Sequence, residues 1–361
     1  MAELRIRLSH IRENIEMLDH FFHQRKLTWT LVMKVLAGYT DYLAPILQGL
    51  DLKSMVGVAD SRLTHLVHLK KMMPRLSTWQ IRPPVLQNVD LVAEFVDVSC
   101  NSSIDTLTAL NKAAKRKGKS HQVIIMVELG ENREGVLQSE LPDFFDKAIN
   151  LSHLKILGLG ANLGCLHGVE PTYEILIQLL EYKKTFENQY GINLPLISGG
   201  SSVNLPLIEE NTLPPEINHY RIGEAAFFGT TPYNGLVFGA LNTDNFTFHT
   251  SVLEVYSKDM EPTEALVPSA VGDTFVPPLM TQDGLQAILD FGLLDVDSKN
   301  LKPWNPNQTI LGSTSDMTTL YAPEGKVKVG DDLVFIPDYM GVAKLMVSGT
   351  IKKSFTDEAA F

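Results

Sequence analysis

The chain has 361 residues, of which 44% are hydrophobic and 20% charged, and it carries a formal net charge of −11. This length suits two domains or one large barrel with an appendage, and the negative charge excludes nucleic acid as an expected partner. Two cysteines without a CxxC motif, and no apolar run of the roughly 18 residues that a membrane span needs, predict a soluble cytoplasmic protein without disulfides, metal site or membrane contact.

Short apolar runs alternate with stretches of helical periodicity through the first two thirds of the chain. The predicted strands are Thr30–Val35, Ser54–Val58, Thr78–Ile81, Phe95–Val98, Gln122–Leu129, Lys155–Leu159, Leu194–Ser198 and His219–Ile222. The predicted helices are Leu8–Phe22, Tyr42–Leu50, Ser61–Met73, Gln87–Glu94, Ser103–Arg116, Leu141–Leu151, Thr172–Tyr190 and Val203–Glu210. Strands that alternate with helices predict a parallel sheet, and eight units in about 230 residues match a (β/α)8 TIM barrel. A doubly wound open sheet is the alternative.

After Gly229 the sequence changes to alternating polar and apolar runs that are punctuated by proline and glycine. The segments Phe246–Tyr256 and Lys326–Ile336 have the period of two that is typical of antiparallel strands. The α/β barrel is therefore predicted to span residues 1–232, and a C-terminal antiparallel β domain to span residues 233–361. Residues 1–8 are candidates to pair with the β domain.

Lys34 lies at the end of the first predicted strand, where such barrels collect their catalytic residues. Its neighbours are apolar, so the backbone is expected to be buried and a charged amine there to be costly. An imine with an aldehyde cofactor would relieve the cost, and a snorkelling or salt-bridged lysine is the alternative. Because the other strand ends carry groups suited to a phosphate, a pyridine ring or a carboxylate, Lys34 is interpreted as a Schiff-base lysine for pyridoxal 5′-phosphate.

The ends of the seventh and eighth predicted strands are rich in glycine and serine. Ser198–Ser202 reads Ser-Gly-Gly-Ser-Ser, and Arg221–Glu224 reads Arg-Ile-Gly-Glu. The loops after these two strands form the usual phosphate site of a TIM barrel. Glycines let backbone N–H groups approach an anion and serine hydroxyls add donors, so a phosphate cradle is predicted here. A tight turn that caps a helix is the alternative.

Arg221 can only donate hydrogen bonds, because arginine keeps its proton in proteins. If it faces a pyridine nitrogen, that nitrogen stays unprotonated and the ring is a weaker electron sink. Such a ring suits a reaction that removes and returns a proton without transamination. An arginine exposed near the barrel mouth is the alternative.

Other polar residues follow the middle strands. Arg133, after the fifth strand, is a candidate to bind a cofactor phenolate oxygen or a substrate carboxylate, and pairing with Glu131 or Glu134 is the alternative. Arg82, after the third strand, is a further candidate of the same kind. Asn162 follows the sixth strand, where it could face the ring or serve as a turn residue.

In this order, the residues resemble those of fold-type III pyridoxal-phosphate enzymes, the alanine racemase family. The ornithine racemase-like branch is most similar, through the motifs Lys34–Gly38, Ala59–Arg62, Leu129–Gly135, Gly158–Leu163, Arg221–Glu224, Gly312–Asp316 and Val329–Asp331. The resemblance covers nearly the whole chain. It implies a racemase (an isomerase of amino-acid metabolism) that acts on a basic amino acid such as ornithine or lysine. It also implies a homodimer in which the partner subunit completes the active site.

The resemblance also implies roles for single residues. Lys34 would carry the cofactor and act as the base on one face of the substrate Cα. The candidate cofactor-binding residues are Lys34, Arg133, Asn162, Ser201, Ser202, Arg221, Gly223, Glu224 and, in the second domain, Tyr339.

One residue departs from the family pattern. Alanine racemases take the base for the opposite face from a Gly-Tyr-x-Asp motif of the partner, and here Leu293 stands in the matching stretch Phe291–Asp295. Leucine cannot move a proton, so Asp316 is the candidate for the second base. The alternatives are Cys165, His167 and Tyr321. The candidates for binding a distal substrate ammonium are Asp295, Asp297 and Asp316.

Two other functions stay open at this point. The missing tyrosine is compatible with a decarboxylase, a lyase or a D-amino-acid aldolase that uses the same cofactor. A non-catalytic pyridoxal-phosphate-binding protein would share the barrel, although single-barrel proteins of that kind lack a β domain. Release of carbon dioxide or aldehyde would favour the first alternative, and cofactor binding without turnover would favour the second.

Overall fold

The computed structural model describes residues 2–257, 284–323 and 326–356. The chain divides into two compact units, Ile11–Thr243 and Met1–His10 together with Asp244–Phe361. The first unit is a closed barrel of eight parallel strands, and the second contains a largely antiparallel sheet, so the predicted fold class is confirmed. The first strand of the chain, β1 (Glu3–Arg7), belongs to the second unit. Every helix of the described ranges is too short or too polar to span a bilayer.

The barrel strands follow one another in chain order, each parallel to its neighbours. They are β2 (Thr28–Val32), β3 (Met55–Asp60), β4 (Thr78–Gln80), β5 (Val98–Asn101), β6 (His121–Met126), β7 (Leu154–Gly160), β8 (Leu196–Ser201) and β9 (His219–Ile222). The barrel closes where β2 pairs with β9, with Thr30 opposite Arg221. All eight predicted strands are present, and the open-sheet alternative is wrong because the ring of strands is closed.

Apolar side chains fill the interior of the barrel. The buried cluster consists of Val32, Ala59, Trp79, Val98, Cys100, Ile124 and Met126. Burying large apolar side chains of this kind contributes roughly 1.5–3 kcal/mol each. Trp79 also stacks on the imidazole of buried His219, with ring centroids 4.9 Å apart. Because the interior is packed, ligand chemistry belongs to the rim at the C-terminal ends of the strands.

The helices of the first unit connect its strands. They are α1 (Leu8–Gln24), α2 (Thr40–Leu47), α3 (Leu63–Met72), α4 (Val89–Phe95), α5 (Ile104–Arg116), α6 (Leu141–Ala148), α7 (Tyr173–Tyr190), α8 (Leu205–Glu209) and α9 (Glu224–Phe228). Caps set some boundaries: Thr172 accepts a hydrogen bond from the Ile175 N–H and precedes α7. Phe95, which was predicted in a strand, ends α4, because buried Val89 and Val92 continue the helical spacing towards it.

The boundary between the units falls at residues 243–244, later than the predicted boundary at residue 232. The segment after Gly229 still bonds within the first unit, because the Phe238 N–H donates to the Gly229 carbonyl. Asn14 of α1 exchanges hydrogen bonds with Asn242, donating to its carbonyl at 2.9 Å and accepting from its N–H at 2.7 Å. The local composition does not predict these long-range hydrogen bonds, and therefore it did not predict the observed boundary.

The second unit is built on one sheet, which has eight strands among the described residues. Besides β1 these are β10 (Phe246–Tyr256), β11 (Gly284–Leu289), β12 (Leu301–Pro303), β13 (Thr309–Ser313), β14 (Thr318–Pro323), β15 (Asp332–Pro337) and β16 (Lys352–Thr356), with helix α10 (Tyr339–Val347) between the last two. The sheet runs β12-β15-β10-β11-β14-β13, and β1 pairs with β10 and β16. Phe248, Phe291 and Phe335 form its aromatic core, with ring centroids 5.1–6.4 Å apart.

Candidate active site

Lys34 lies at the rim of the barrel, close to the pair of strands that closes it. Strand β2 ends at Val32, and Lys34 begins a 3-10 turn, Lys34–Leu36, in which Val35 and Leu36 are buried. The predicted strand ran to Val35, and the structure corrects this. The Lys34 side chain is exposed rather than buried among its apolar neighbours, because the chain has already left the strand. A primary amine is thus accessible at the rim.

The turn that carries Lys34 depends on two residues in the left-handed region. Ala37 has a φ of 50° and Gly38 a φ of 85°. A Cβ on Gly38 would come within 2.9 Å of Cγ of His65 in α3. His65 is itself held by buried Asp60 at the end of β3, with Nδ1 and Oδ2 3.1 Å apart. Glycine is therefore required at position 38 by the backbone and by the space around it.

Arg221 of β9 is buried inside the barrel. Its Nη1 donates to Ser198 Oγ, and its Nη2 donates to the Ala161 carbonyl at 2.8 Å. Ser198 Oγ is also 2.9 Å from His219 Nδ1, and His219 Nε2 is 2.7 Å from Thr30 Oγ1. Burial and, to a smaller extent, the charge of Arg221 lower the pKa of His219 to about 3, so the imidazole is neutral. Burial also lowers the pKa of Arg221, but a guanidinium keeps its proton.

Ser202 joins the loops that follow β8 and β9. Its Oγ accepts hydrogen bonds from the backbone N–H groups of Gly223 and Ala225, both at 3.3 Å. The Ser201 N–H donates to Asn204 Oδ1 at 2.9 Å and caps the 3-10 turn that follows. The structure thus brings the two glycine- and serine-rich segments of the sequence together at one place on the rim.

Glu224 begins α9 directly after Gly223 and is half-buried. Burial raises the pKa of its carboxyl, and a hydrogen bond with Thr230 and the charge of Lys34 oppose that rise. The electrostatic effect of Lys34 shows that the amine lies near the end of β9, as the pairing of β2 with β9 requires. The sequence could not show the burial of this carboxyl, because it depends on the closed barrel.

Arg133, in the loop after β6, forms a two-pronged ion pair with Glu134. Its Nε donates to Oε2, and its Nη2 donates to Oε1 at 2.5 Å. This pair raises the pKa of Arg133. Nη1 donates to Cys165 Sγ at 2.8 Å, and the Asn162 amide, turned with its oxygen towards the guanidinium, accepts from Nη1 at 3.2 Å. Of the two glutamates weighed from the sequence, Glu134 is the partner, and Glu131 binds elsewhere.

The carboxamide of Asn162 lies between two guanidinium groups. One of its terminal atoms is 3.4 Å from Arg221 Nη2, and the other faces Arg133. The carboxylate of Glu134, whose side chain is only 14% exposed, also acts electrostatically on Arg221. The guanidinium groups of Arg133 and Arg221 thus present N–H donors at this part of the rim, which suits an anionic ligand.

Three predicted site residues lie apart from this cluster or in the other unit. Arg82 is exposed after β4. Asp316 is exposed in the turn before β14, where its Oδ2 accepts from Ser315 Oγ at 2.6 Å. Tyr339 begins α10, which Asp338 caps by accepting from a backbone N–H. Because Asp316 and Tyr339 belong to the second unit, their roles at the barrel rim stay predictions.

Two candidates for the distal ammonium are already engaged inside the second unit. Asp295 accepts from the Gly292 N–H at 3.3 Å and from Ser348 Oγ at 2.9 Å. Asp297 caps the turn at Lys299, accepting from its N–H at 3.1 Å, and also pairs with its ammonium. Both carboxylates therefore serve the fold of that unit.

The alternatives for the second base differ in accessibility. Tyr321 is 6% exposed on β14, and His167 Nδ1 is hydrogen-bonded to the Glu131 carbonyl at 2.7 Å. Cys165 is exposed beside Arg133. Leu293 stands where the tyrosine was expected, and its backbone N–H donates to the Thr314 carbonyl at 2.9 Å.

A family model for the N-terminal domain of alanine racemase matches residues 6–232. The chain belongs to the alanine racemase family. It is 32% identical over 357 residues to an ornithine racemase of Acetoanaerobium sticklandii, covering 97% of this chain and 98% of that protein. It is 27% identical over 360 residues to a lysine racemase of Thermotoga maritima, covering 98% of each. An alanine racemase of Bartonella henselae with covalently bound pyridoxal phosphate has the same fold, with a TM-score of 0.71 at 15% identity, covering 98% of this chain and 99% of that one.

The resemblance that the sequence motifs indicated is thereby confirmed. Enzymes of the alanine racemase family depend on pyridoxal phosphate, and the donors at this rim fit that cofactor. The bonds to Ser198 and Ala161 use two of the five N–H groups of Arg221, so donors remain for an acceptor such as a pyridine nitrogen. A Cβ on Gly223 would lie 3.1 Å from the Val32 carbonyl, so glycine lets the backbone pass close to β2, near Lys34.

Proposed function

We propose that this protein is a pyridoxal-phosphate-dependent racemase of a basic amino acid, with ornithine and lysine as the leading substrates. The observation that carries the proposal is the similarity, over 97–98% of the chain, to an ornithine racemase and a lysine racemase. The exposed side chain of Lys34, directly after the strand that pairs with the strand of Arg221, supports it from the structure.

The proposed cofactor site lies at the barrel rim, at the C-terminal ends of β2 and of β6 to β9. When bound, pyridoxal phosphate supplies an electron-withdrawing ring that acidifies the substrate Cα proton. The residues that would hold it are Lys34, Arg133, Asn162, Ser201, Ser202, Arg221, Gly223 and Glu224, with Tyr339 from the second unit.

Lys34 is the proposed base on one face of the substrate. Its side chain is exposed at the rim, where a small amino acid could reach it. Glu224 lies near enough to interact with the Lys34 charge. Lys34 would take the Cα proton on this face of the substrate and return it to the same face.

Arg221 would control the electronics of the ring without exchanging protons. It donates a hydrogen bond but keeps its own proton, so it would leave a pyridine nitrogen unprotonated. The Ser198 hydroxyl and the Ala161 carbonyl fix the direction of its guanidinium. Limited withdrawal of charge into the ring favours return of the proton to Cα over transamination.

Racemisation also needs a group on the opposite face, because one lysine would return the proton to the side from which it came. Asp316 is the proposed second base, since Leu293 cannot take that role. We place it in a homodimer in which the partner subunit's copy completes the site, with the whole enzyme in the cytoplasm.

Chiral chromatography tests the proposed activity. L-Ornithine, L-lysine and L-alanine are incubated separately with the protein and pyridoxal phosphate, and the D-isomer is followed with time. We expect D-ornithine or D-lysine to approach an equal mixture with the L-form, and alanine to react far more slowly. Failure to form any D-isomer, with carbon dioxide or an aldehyde released instead, would overturn the proposal in favour of a decarboxylase or aldolase.

A further inference from the structure

One buried carboxylate connects two loops of the rim. Glu131, in the loop after β6, is 2% exposed. Its two oxygens accept hydrogen bonds from five backbone N–H groups of the loop after β7. The donors are Gly164, Cys165, Leu166, His167 and Val169. A carboxylate that gathers so many backbone donors from one segment fixes the path of that segment.

The charge of Glu131 persists at any working pH. Burial alone would raise the pKa of its carboxyl, but the backbone hydrogen bonds lower it to about 2. Backbone donors stabilise the anion because it can only accept. The connection between the loops is therefore a fixed feature of the folded protein rather than a titrating one.

The Glu131 end of the connection is rigid as well. Glu128, at the start of the same loop, accepts from the Gly130 N–H at 2.6 Å, the Asn132 N–H at 3.0 Å and the Arg133 N–H at 3.2 Å. These bonds close the loop into a tight turn in which Asn132 has a φ of 53°. Glu131 therefore projects from a preformed support.

The loop that Glu131 holds carries two partners of Arg133. Cys165 Sγ accepts from Arg133 Nη1 at 2.8 Å, and Asn162 lies at the start of the same loop and accepts from that nitrogen at 3.2 Å. Arg133 itself belongs to the loop of Glu131. The distance between the guanidinium and these partners is therefore set by the hydrogen bonds of one carboxylate.

We propose that Glu131 is a positioning residue of the active site. Its carboxylate ties the loop after β7 to the loop after β6 and thereby places Cys165 and Asn162 on the Arg133 guanidinium. The catalytic consequence rests on the proposed racemase function, whereas the loop connection does not.

Hydrogen exchange measured by mass spectrometry tests the loop connection without any turnover. In the full-length protein with pyridoxal phosphate added, E131Q replaces one accepting oxygen by a donor. We expect the amides of residues 164–169 to exchange about tenfold faster or more, which corresponds to the loss of a charged hydrogen bond. The matched control E216Q, at an exposed loop position, should leave their exchange unchanged. Unchanged exchange in E131Q would overturn the proposal.

Kinetics then separate positioning from simple stability. We expect E131Q to lower kcat/KM about tenfold in the wild-type background and to have little further effect in an R133Q background, because it acts through Arg133. Equal losses in both backgrounds, or full activity in E131Q despite faster exchange, would contradict the positioning role.

If E131Q does not fold, E131D repeats both measurements with the charge kept and the side chain shortened. An inactive wild type would count against the proposed function alone, because the exchange result stands independently.

Discussion

Lys34 is exposed although its sequence neighbours are buried, because it lies in a 3-10 turn and not in the strand that precedes it. Val35 and Leu36 of the 3-10 turn take the apolar positions, which leaves the amine at the surface of the rim. Arg221 shows the opposite case, because a full charge is buried where Ser198 and Ala161 accept its hydrogen bonds. Lys34 is thus placed by its own turn, whereas Arg221 is placed by partners on β8 and directly after β7.

The hydroxyl of Ser202 joins the loops after β8 and β9, which form the predicted phosphate cradle. In S202A the N–H groups of Gly223 and Ala225 lose their acceptor, which costs about 1–3 kcal/mol where they stay buried. We expect a loss of pyridoxal-phosphate affinity of about tenfold, measured by equilibrium titration. S139A, an exposed position after β6, is the control. Wild-type affinity in S202A would show that the cradle does not depend on this hydroxyl.

The turn between β2 and α2 is the element that presents Lys34, and two glycines allow a matched test of it. Gly38 and Gly49 have φ values of 85° and 77°, but only a Cβ on Gly38 would meet the His65 ring. We expect G49A to lose about 1–2 kcal/mol of unfolding free energy from the left-handed backbone alone. G38A should lose more and should also lower racemisation, because His65 must move. Equal effects in urea unfolding and activity would refute the contact.

At the scale of elements, the sequence predicted most of what local periodicity controls. The strands and most helices of the barrel were predicted within a few residues, because burial repeats at regular spacing along them. Two predicted boundaries were wrong. Helix α4 continues to Phe95, the first residue of a predicted strand. At the end of β2, a 3-10 turn begins at Lys34, inside the apolar run that was predicted as a strand. The sequence offered both Glu131 and Glu134 as partners of Arg133 but could not choose between them or show what Glu131 binds, because these contacts depend on loop geometry. Three glutamates spaced by three in one loop, Glu128, Glu131 and Glu134, were the available signal.

At the scale of the whole molecule, buried histidines make stability depend on pH. Burial lowers the pKa of His121 to about 4 and that of His219 to about 3. Unfolded histidines titrate near pH 6.5, so below that pH the unfolded chain binds protons that the folded chain does not, and stability falls as pH falls. Each histidine should remove about 2 kcal/mol between pH 7 and pH 5.

Urea unfolding at pH 7 and pH 5 measures this loss. H121Q removes the first of these two imidazoles, which bonds to Ser99 and not to the residues of the rim, and should reduce the difference between the two pH values by about half. Below pH 4.5, Glu131 adds to the loss in the same direction, because its pKa of about 2 lies below that of an unfolded glutamate. A free energy of unfolding that is the same at pH 5 and pH 7 would contradict the burial of both histidines in neutral form.

The two-part architecture could be predicted because the change from helical to alternating periodicity is local and occurs once. The exact boundary between the two units could not be predicted, because it depends on hydrogen bonds between Asn14 and Asn242, which are separated by more than half of the chain. The same limit applies to the site. Strand-end position alone predicted that Lys34, Ser202, Gly223 and Arg221 lie at one rim of the barrel. Their roles there, and those of Asp316 and Tyr339 in the second unit, stay predictions.

The attachment of the cofactor to Lys34 is the claim on which the account depends, and borohydride reduction followed by peptide mass spectrometry measures it directly. Protein incubated with pyridoxal phosphate is reduced, digested and weighed, with K34A as the control. We predict a pyridoxyl mass on the peptide that contains Lys34 and no labelled peptide in K34A. A label on another lysine, or an unlabelled Lys34 peptide in the wild type, would contradict the account.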